Sequence, residues 1–245
     1  MEVITKKTCV IIPCYNEESR FPTEDFLMFL STQSAYELCF VNDGSTDNTL
    51  KKLYDVKNKY PNTTVLNLTQ NIGKAEAIRY AILNIDTDKY NYIGYLDADL
   101  STSLNEMARL SNFIAGDTTF ILGSRVKKLG SIIIRSSIRH IFGRIFMTIV
   151  NNYILKVGVY DSQCGAKLIE HTLAKEIFKK PFVSKWLFDI ELLLRVIQLR
   201  GKDYFDNSIV EVPLIKWHDK GDSRIKIRDL LLVPSDLLKI KNKYL

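Results

Sequence analysis

The chain has 245 residues, of which 46% are hydrophobic and 25% charged, and its formal net charge is +6. A chain of this length buries roughly 70–75% of its unfolded surface, so we expect a core that needs neither disulfides nor a structural metal. No apolar run approaches the roughly 18–20 residues that span a bilayer, and the N-terminus has no signal-peptide pattern. The four cysteines form no CxxC pair, which predicts reduced thiols and a cytoplasmic location.

The first half of the chain alternates β-rich runs with segments of helical spacing. The predicted strands cover residues 8–16, 36–45, 63–71, 90–100 and 119–125, and the predicted helices cover residues 26–32, 45–60, 72–85 and 105–115. Continuous apolar strands separated by helices predict an α/β fold with a mainly parallel sheet that is covered on both faces. Polar functional groups should then gather at the carboxyl ends of the strands.

The second half is richer in helical patterns. One long or two shorter helices are predicted over residues 131–155, and an amphipathic helix over residues 186–201 ends at a glycine. Residues 208–217 form the last predicted strand, and residues 227–245 make a basic, apolar tail. Because we find no repeat, no low-complexity segment and no linker, one domain with an α-rich C-terminal half is the simplest organisation.

The fourth predicted strand ends in two aspartates, Asp97 and Asp99, one residue apart. Alternate side chains of an extended chain point the same way, so both carboxylates can converge on one point. Two unpaired anions there require a cation, a proton or a ligand. Mg²⁺ or Mn²⁺, which a pair of carboxylates can hold together with substrate phosphates, is a suitable partner. Taken alone, the pattern is equally consistent with two solvated turn aspartates.

Three further polar clusters follow predicted strands. They are "PCYNEE" (residues 13–18), "VNDGSTDNT" (residues 41–49) and "QNIGKAEA" (residues 70–77). Asn, Asp, Gly and Ser favour turns in any protein, but turn chemistry alone does not explain four clusters at one edge of a sheet. The set predicts a nucleotide site, although it contains neither a G-x-G-x-x-G motif nor a P-loop.

The excess positive charge is concentrated in one stretch. Residues 118–160 contain no Asp or Glu, and their basic residues are Arg125, Lys127, Lys128, Arg135, Arg139, Arg144 and Lys156. A stretch of one sign indicates an anionic partner, which can be a phosphate, a nucleic acid or a membrane surface. A simple solvated basic face is the alternative, and the many apolar residues of this stretch argue against it.

Taken in order, these motifs resemble those of family 2 glycosyltransferases. The matching segments are "IIPCYNEE", "VNDGSTDNT", "NIGKAEAI", "DADLST", "GSR", R-x-x-x-R-x-x-x-G-R, "DSQCGAK" and "WLFDIELL", and they cover roughly residues 8–224. The second-half motifs resemble the dolichyl-phosphate glucose synthase and polyprenyl-phosphate glycosyltransferase branch. The resemblance implies a Rossmann-like GT-A fold, a nucleotide-sugar donor, Mg²⁺ or Mn²⁺, and inverting transfer to a polyprenyl or dolichyl phosphate.

The resemblance also divides the single domain 1–245 into two functional halves. Residues 1–125 would bind the nucleotide sugar, and residues 126–245 would form the acceptor half and the basic tail. Asp43 would contact the base and Lys74 would lie near the nucleotide. The implied donor-binding residues are Pro13, Tyr15, Asn16, Glu17, Asp43, Lys74, Asp97 and Ala98.

Metal binding and catalysis are also assigned by the resemblance. Asp99 would be the main metal ligand, with Asp97 on the ribose or metal side. His218 is a candidate for a further metal or diphosphate contact, and its alternative is an ordinary loop histidine. Asp189 is a candidate base, and its alternative is an acid that the helix dipole stabilises in the first turn.

Three arginines, Arg125, Arg135 and Arg139, would receive the acceptor phosphate. On a helix, Arg135 and Arg139 share a face, and arginine suits bidentate phosphate contacts. The alternative is that they snorkel from a helix at a membrane surface. With Asp97, Asp99 and Asp189, the arginines Arg125 and Arg139 complete the expected catalytic set.

The leading hypothesis is therefore an enzyme that transfers glucose from UDP-glucose, with UDP favoured over GDP, to a polyprenyl phosphate at the cytoplasmic face of a membrane. Residues 132–145 and 225–245 are the expected peripheral contacts. The nearest alternative is a family 2 enzyme with a hydroxyl acceptor, which needs a base. A nucleic-acid-binding module is a rival from another class, but the carboxylate-rich edge argues against it, and we expect no nucleic-acid partner. A sugar nucleotidyltransferase would need a glycine-rich, basic first loop, which we do not find.

Overall fold

The computed structural model describes residues 7–134, 137–221 and 227–245, and the side chains of residues 137–140, 142 and 227–231 fall outside this description. In the described chain, a seven-stranded sheet has the order β3-β2-β1-β4-β7-β5-β8. Its strands are β1 (Thr8–Cys14), β2 (Tyr36–Asp43), β3 (Thr64–Leu68), β4 (Tyr92–Tyr95), β5 (Phe120–Ser124), β7 (Lys167–Glu170) and β8 (Ile209–Pro213). Every neighbouring pair is parallel except those made by β7. The predicted mainly parallel sheet is confirmed.

Helices cover both faces of this sheet. They are α1 (Thr23–Thr32), α2 (Thr49–Lys59), α3 (Lys74–Asn84), α4 (Leu104–Ser111), α5 (Ser137–Val150), α6 (His171–Ile177), α7 (Phe188–Arg200), α8 (Lys202–Ser208) and α9 (Ile227–Tyr244). Strand β1 shows how the two layers are filled, because successive side chains of a strand point to opposite faces. Cys9 and Ile11 pack in the core beneath α3, α6 and α7, and Val10 and Ile12 pack beneath α1, α2 and α4.

Strand β1 is therefore an uninterrupted apolar run, as expected for a strand that is buried on both sides. All four cysteines are buried and unpaired. Within the described residues, no helix combines the length and the hydropathy that crossing a bilayer requires.

The second half departs from the sequence prediction at two places. The segment predicted to be helical from residue 131 starts with a strand, β6 (Ile132–Ile134), and α5 begins only at Ser137. The single strand predicted over residues 208–217 is two strands. Strand β8 ends at Pro213, and the chain leaves β5 after the N–H of Leu214 donates to the carbonyl of Ser124 at 2.8 Å. The chain continues as β9 (Lys216–His218), which pairs with β6 in a separate two-stranded sheet.

Strand β7 was missed by the sequence analysis. It has four residues, it lies antiparallel between β4 and β5, and its first residue is a lysine. A charged residue in so short a segment conceals the apolar pattern by which the other strands were predicted. The fourth predicted strand is also shorter than expected, because it ends at Tyr95 before the aspartates begin.

Gly44, in the turn after β2, packs against the backbone of the turn after β3. Its φ is +66°, and a Cβ atom at this position would lie 2.3 Å from the carbonyl carbon of Gln70 and 2.5 Å from the backbone nitrogen of Asn71. Only glycine fits this conformation and this contact without strain. The close approach brings Asp43 beside the residues that precede α3.

We expect Gly44→Ala to lower the free energy of unfolding by about 2–4 kcal/mol, because left-handed strain adds to overpacking against backbone. The matched control is Gly116→Ala, whose φ is +53° but whose Cβ would meet no atom within 4 Å. The control should lose about 1 kcal/mol from strain alone. Denaturant titration of both variants measures the difference, and equal losses would show that the contact with Gln70 is unimportant.

Candidate active site

The turns after β1 and β2 are hydrogen-bonded to each other at the carboxyl edge of the sheet. The N–H of Asn16 donates to Oγ of Ser45 at 3.0 Å, and the N–H of Thr46 donates to Oδ1 of Asn16 at 2.8 Å. Asn16 adopts a left-handed φ of +48°, a conformation that asparagine tolerates better than most residues. The predicted convergence of polar clusters at one edge is therefore observed.

Asp43, the last residue of β2, organises the turn that precedes α3. Its carboxylate accepts hydrogen bonds from the N–H groups of Ile72 and Gly73 and from Nδ2 of Asn71, at 2.8 to 2.9 Å. Burial raises the pKa of the Asp43 carboxyl, although the two backbone donors oppose that rise. Asp43 thus fixes the start of α3, where Lys74 follows directly.

The other predicted donor-binding residues differ in how accessible their side chains are to a ligand. Pro13 precedes buried Cys14 at the end of β1, and both Pro13 and Tyr15 are partly exposed at the sheet edge. Glu17 is buried and forms an ion pair with Arg20, so its carboxylate already has a cation. Ala98 is buried in the core beneath α1, α2 and α4. The structure therefore gives Glu17 and Ala98 supporting positions behind the edge.

Lys74 and Asp97 form an ion pair across the edge, between the start of α3 and the end of β4. Burial alone would lower the pKa of Lys74, but the charges of Asp97 and Asp189 outweigh it and raise the pKa. The Asp97 side chain remains 43% exposed, so its carboxylate can also meet a ligand. The unpaired carboxylate pair inferred from sequence therefore has a cation beside it.

Asp99 lies in the turn that follows β4. Oδ1 of Asp99 accepts a hydrogen bond from the N–H of Ser101 at 2.9 Å. The N–H of His218 donates to the carbonyl of Ser101 at 3.1 Å, so β9 runs beside this turn. In the part of the chain that the structure describes, no three His, Cys, Asp or Glu side chains are arranged to hold an ion without further ligands.

Arg125 follows β5 and is held by Asp161. Nε and Nη2 of Arg125 donate to the two carboxylate oxygens of Asp161 at 2.7 and 2.8 Å, and the guanidinium lies 5.4 Å from the ring centroid of Trp217. Burial would raise the pKa of Asp161, but the Arg125 charge lowers it to about 2. Arg125 is therefore oriented rigidly at the edge of the sheet, near the start of the basic stretch.

The other two predicted phosphate ligands cannot be placed. Arg135 lies outside the described residues, and Arg139 belongs to α5 but its side chain is not described. The third arginine of the motif, Arg144, donates to the carbonyl of Tyr160 at 2.8 Å and lies 3.6 Å from its ring centroid. Arg144 thus anchors α5 to the segment that leads to Asp161.

Asp189 is buried in a charged cluster that the sequence analysis did not anticipate. Its Oδ1 accepts from the Tyr95 hydroxyl and from Nζ of Lys167, both at 2.6 Å. Nζ of Lys167 also donates to the carbonyls of Ser162 and Cys164. Lys167 belongs to the "DSQCGAK" motif, but its partner is 22 residues away along the chain, and no local signal pairs the two.

The comparison with protein families agrees with this geometry. The glycosyl transferase family 2 model matches residues 9–178, which is more than half of the chain. The chain belongs to glycosyl transferase family 2. This glycosyltransferase is 30% identical over 248 residues to dolichyl-phosphate beta-glucosyltransferase ALG5C of Trichomonas vaginalis, covering 95% of this chain and 70% of the relative. It is also 30% identical over 259 residues to the human dolichyl-phosphate beta-glucosyltransferase, with coverages of 98% and 76%.

Solved structures confirm the predicted GT-A fold of this glycosyltransferase. Glucosyl-3-phosphoglycerate synthase of Mycobacterium tuberculosis, in a complex with Mn²⁺, UDP and glucosyl-3-phosphoglycerate, superposes with a TM-score of 0.69. The two proteins are 18% identical, and the match covers 97% of this chain and 80% of the other. The predicted enzyme class and the predicted branch of the family, dolichyl-phosphate glucose synthases, are confirmed by the sequence comparisons.

The pKa of Asp161 leads to a prediction about acid stability. A carboxyl whose folded pKa is lowered stabilises the fold above its unfolded pKa, near 3.8, and loses that contribution as the pH falls through its folded value, about 2. A shift of this size corresponds to roughly 2 kcal/mol. We expect the stability difference between the wild type and Asp161→Asn to shrink by about that amount between pH 5 and pH 2.

Denaturant titrations of both proteins at each pH measure this difference. Asp55→Asn, which alters an exposed aspartate on α2, serves as the control and should show no comparable change. A wild-type advantage that stays constant down to pH 2 would contradict the ion pair between Asp161 and Arg125.

Proposed function

We propose that this glycosyltransferase transfers glucose from UDP-glucose to a polyprenyl phosphate of the dolichyl type, with a divalent metal and with inversion at the anomeric carbon. The observation that carries the proposal is the convergence of Asp43, Lys74, Asp97 and Asp99 at one edge of the sheet. The names of the relatives support the sugar and the acceptor. The UDP and UDP-glucose complexes of the Mycobacterium enzyme support the choice of nucleotide.

The donor would lie along this edge with its base near Asp43 and its diphosphate near Lys74. Lys74 is held in the charged form beside Asp97, so it can bind a phosphate oxygen without first taking up a proton. Pro13, Tyr15 and Asn16 would line the nucleotide pocket, with Glu17 and Ala98 behind them. Residues 1–125 would thus form the donor half and residues 126–245 the acceptor half.

The residues at the end of β4 fit Mg²⁺ or Mn²⁺. Both ions take oxygen ligands and commonly use one or two carboxylates while phosphates and waters complete the shell. Asp99 and the exposed oxygen atoms of Asp97 would hold the ion, with His218 as a further contact on the neighbouring strand. When bound, the ion would supply Lewis-acid neutralisation of the charge that develops on the leaving diphosphate.

The acceptor phosphate would be the nucleophile. A phosphate monoester with a second pKa near ~6 is largely ionised at pH 7, so the protein has to orient it rather than deprotonate it. Arg125, in its fixed orientation, together with Arg135 and Arg139 would bind and direct this phosphate. A single displacement of UDP by the phosphate inverts the α linkage of UDP-glucose, which accords with the β products in the names of the relatives.

The environment of Asp189 supports a phosphate acceptor over a hydroxyl acceptor. A hydroxyl acceptor requires a general base, and Asp189 was the candidate from sequence. One of its oxygens already accepts hydrogen bonds from Tyr95 and Lys167, and the residue is only 4% exposed. A carboxylate that is held in this way is a poor proton acceptor for an incoming substrate.

The function is tested with purified protein, Mn²⁺, a panel of UDP- and GDP-sugars and a polyprenyl phosphate. We expect lipid-soluble product from UDP-glucose, and we expect Asp99→Asn to lower kcat by about 100-fold or more because it removes the main metal ligand. Asp55→Asn, on the exposed face of α2, is the matched control and should retain full turnover. Hydrolysis of the donor without lipid product would point to another acceptor, and full activity of Asp99→Asn would overturn its metal role.

We also propose that α5 rests on the membrane that carries the acceptor. Four exposed apolar side chains recur at intervals of four residues along this helix and the π-helical turn that follows it (Asn151–Leu155), and they are Ile141, Ile145, Ile149 and Tyr153. Exposed Leu129, Ile132 and Ile134 precede them, together with Lys127 and Lys128. An apolar stripe beside basic residues, in a stretch without acidic residues, fits an anionic lipid surface. Leu232, Leu238 and Leu245 are the exposed apolar residues of the tail.

Vesicle sedimentation tests this membrane contact. With vesicles of phosphatidylcholine and phosphatidylserine, we expect the double variant Ile145→Gln and Ile149→Gln to bind about tenfold more weakly or worse, since two apolar side chains no longer leave water. The control is the double variant Met28→Gln and Leu83→Gln, which alters exposed apolar residues on α1 and α3. Equal weakening of both double variants would show that the α5 stripe is not the docking surface.

A further inference from the structure

Lys167 is a fully buried lysine directly behind the proposed donor site. Its side chain is 1% exposed, and its ammonium group makes three contacts, with Oδ1 of Asp189 at 2.6 Å, the carbonyl of Ser162 at 2.8 Å and the carbonyl of Cys164 at 2.7 Å. A buried ion pair is a weak source of net stability, because taking both charges out of water offsets their attraction. The arrangement that the pair imposes is therefore of more interest than its contribution to stability.

The pair acts on Lys74 through Asp189. Lys74 is ion-paired with Asp97, and it lies beside the ring of Tyr95, whose hydroxyl donates to Asp189. The two ammonium groups lie 6.0 Å (Lys74) and 5.5 Å (Lys167) from the ring centroid of Tyr95, so they are close neighbours of the same aromatic side chain. Charges therefore alternate in the order Lys167, Asp189, Lys74 and Asp97.

The same lysine also acts on Asp97 through the loop that precedes β7. By holding the carbonyls of Ser162 and Cys164, it fixes the position of Gly165. A Cβ atom at Gly165 would lie 2.1 Å from Oδ2 of Asp97, so the loop backbone lies directly against this carboxylate. Lys167 thus influences the position of Asp97 in two ways. Its charge acts through Asp189 and Lys74, and its hydrogen bonds hold the loop that packs against Asp97.

We propose that Lys167 is the positioning residue of the donor site. Its positive charge compensates the negative charge of Asp189. Lys74 therefore stays available to pair with Asp97 and to bind the donor phosphates. Its bonds to the loop carbonyls hold Gly165 against Asp97. This role rests on the proposed function, because it concerns the residues assigned there to the donor and the metal.

Removal of the lysine charge should redirect Lys74. In Lys167→Met, Asp189 stays buried and loses the cation that pairs with it. Lys74 lies beside the ring of Tyr95, whose hydroxyl bonds to Asp189, and attraction at low dielectric would draw Lys74 away from Asp97. If Asp189 is also neutralised, by Asp189→Asn, this competition for Lys74 disappears.

The experiment compares Lys167→Met, the double variant Lys167→Met with Asp189→Asn, and the control Lys175→Met. Lys175 lies on α6 and pairs with exposed Asp88 at the surface. We expect Lys167→Met to lower kcat/KM for UDP-glucose by about 100-fold and to weaken UDP binding in Mn²⁺, because Lys74 and Asp97 are displaced. The double variant should recover to within about tenfold of the wild type, and the control should match the wild type.

Recovery in the double variant separates this role from a purely structural one. If Lys167 only supported the loop, a second substitution at Asp189 could not restore binding or turnover. The proposal is overturned if Lys167→Met behaves as the wild type, or if the double variant is folded but no better than the single one. The double variant buries no unpaired charge, so it can fold even if the single variant does not. In that case the proposal requires kcat/KM of the double variant within about tenfold of the wild type, and a larger loss overturns it.

Calorimetric UDP binding keeps the two proposals distinguishable. If the wild type yields no lipid product with any donor, the proposed acceptor fails. The binding comparison still tests Lys167 in that event, since it requires only the nucleotide and Mn²⁺.

Discussion

Two carboxylates at the end of a buried strand need positive charge close by, and the arrangement of the site follows from this requirement. Asp97 and Asp99 follow β4, and Lys74 meets Asp97 from the first turn of α3. Asp43 holds the turn before α3 through three hydrogen bonds, and Lys74 follows this turn directly. Donor-binding residues from different strands are thus coupled to one ion pair.

Charge compensation continues into the interior of the second half. Asp161 and Arg125 form one buried pair, and Asp189 and Lys167 form another. Behind them, Glu191 accepts from the N–H groups of Val183 and Ser184 and from the hydroxyl of Tyr244 near the end of α9. The C-terminal helix therefore braces the segment that leads into α7, whose first turn carries Asp189. These hydrogen bonds connect the basic tail to the core of the site, and the tail need not contact a substrate to have this effect.

The first half could be predicted because its physics is local. A strand that is buried on both faces must be continuously apolar, and a polar turn must follow where it leaves the core. The sequence pattern therefore predicts both the strands and the edge of the sheet that their turns share. Asp97 and Asp99 were identified for this reason. The polar clusters that contain Asp43 and Lys74 were found in the same way, but these two residues were singled out by the family resemblance. Strand β7 and Lys167 were not identified, because a four-residue antiparallel strand that begins with a lysine has no such signature.

Neighbouring residues along the chain are enough to predict the parallel sheet, the carboxylates at its edge, the family motifs and the uneven positive charge. Which of the charges meet depends on contacts that form only when the chain folds. Lys167 and Asp189 are 22 residues apart along the chain and come into contact because β7 enters the sheet beside β4. Pairing between distant residues depends on the path of the chain in space. The sequence supplies the charged groups, and the fold selects their partners.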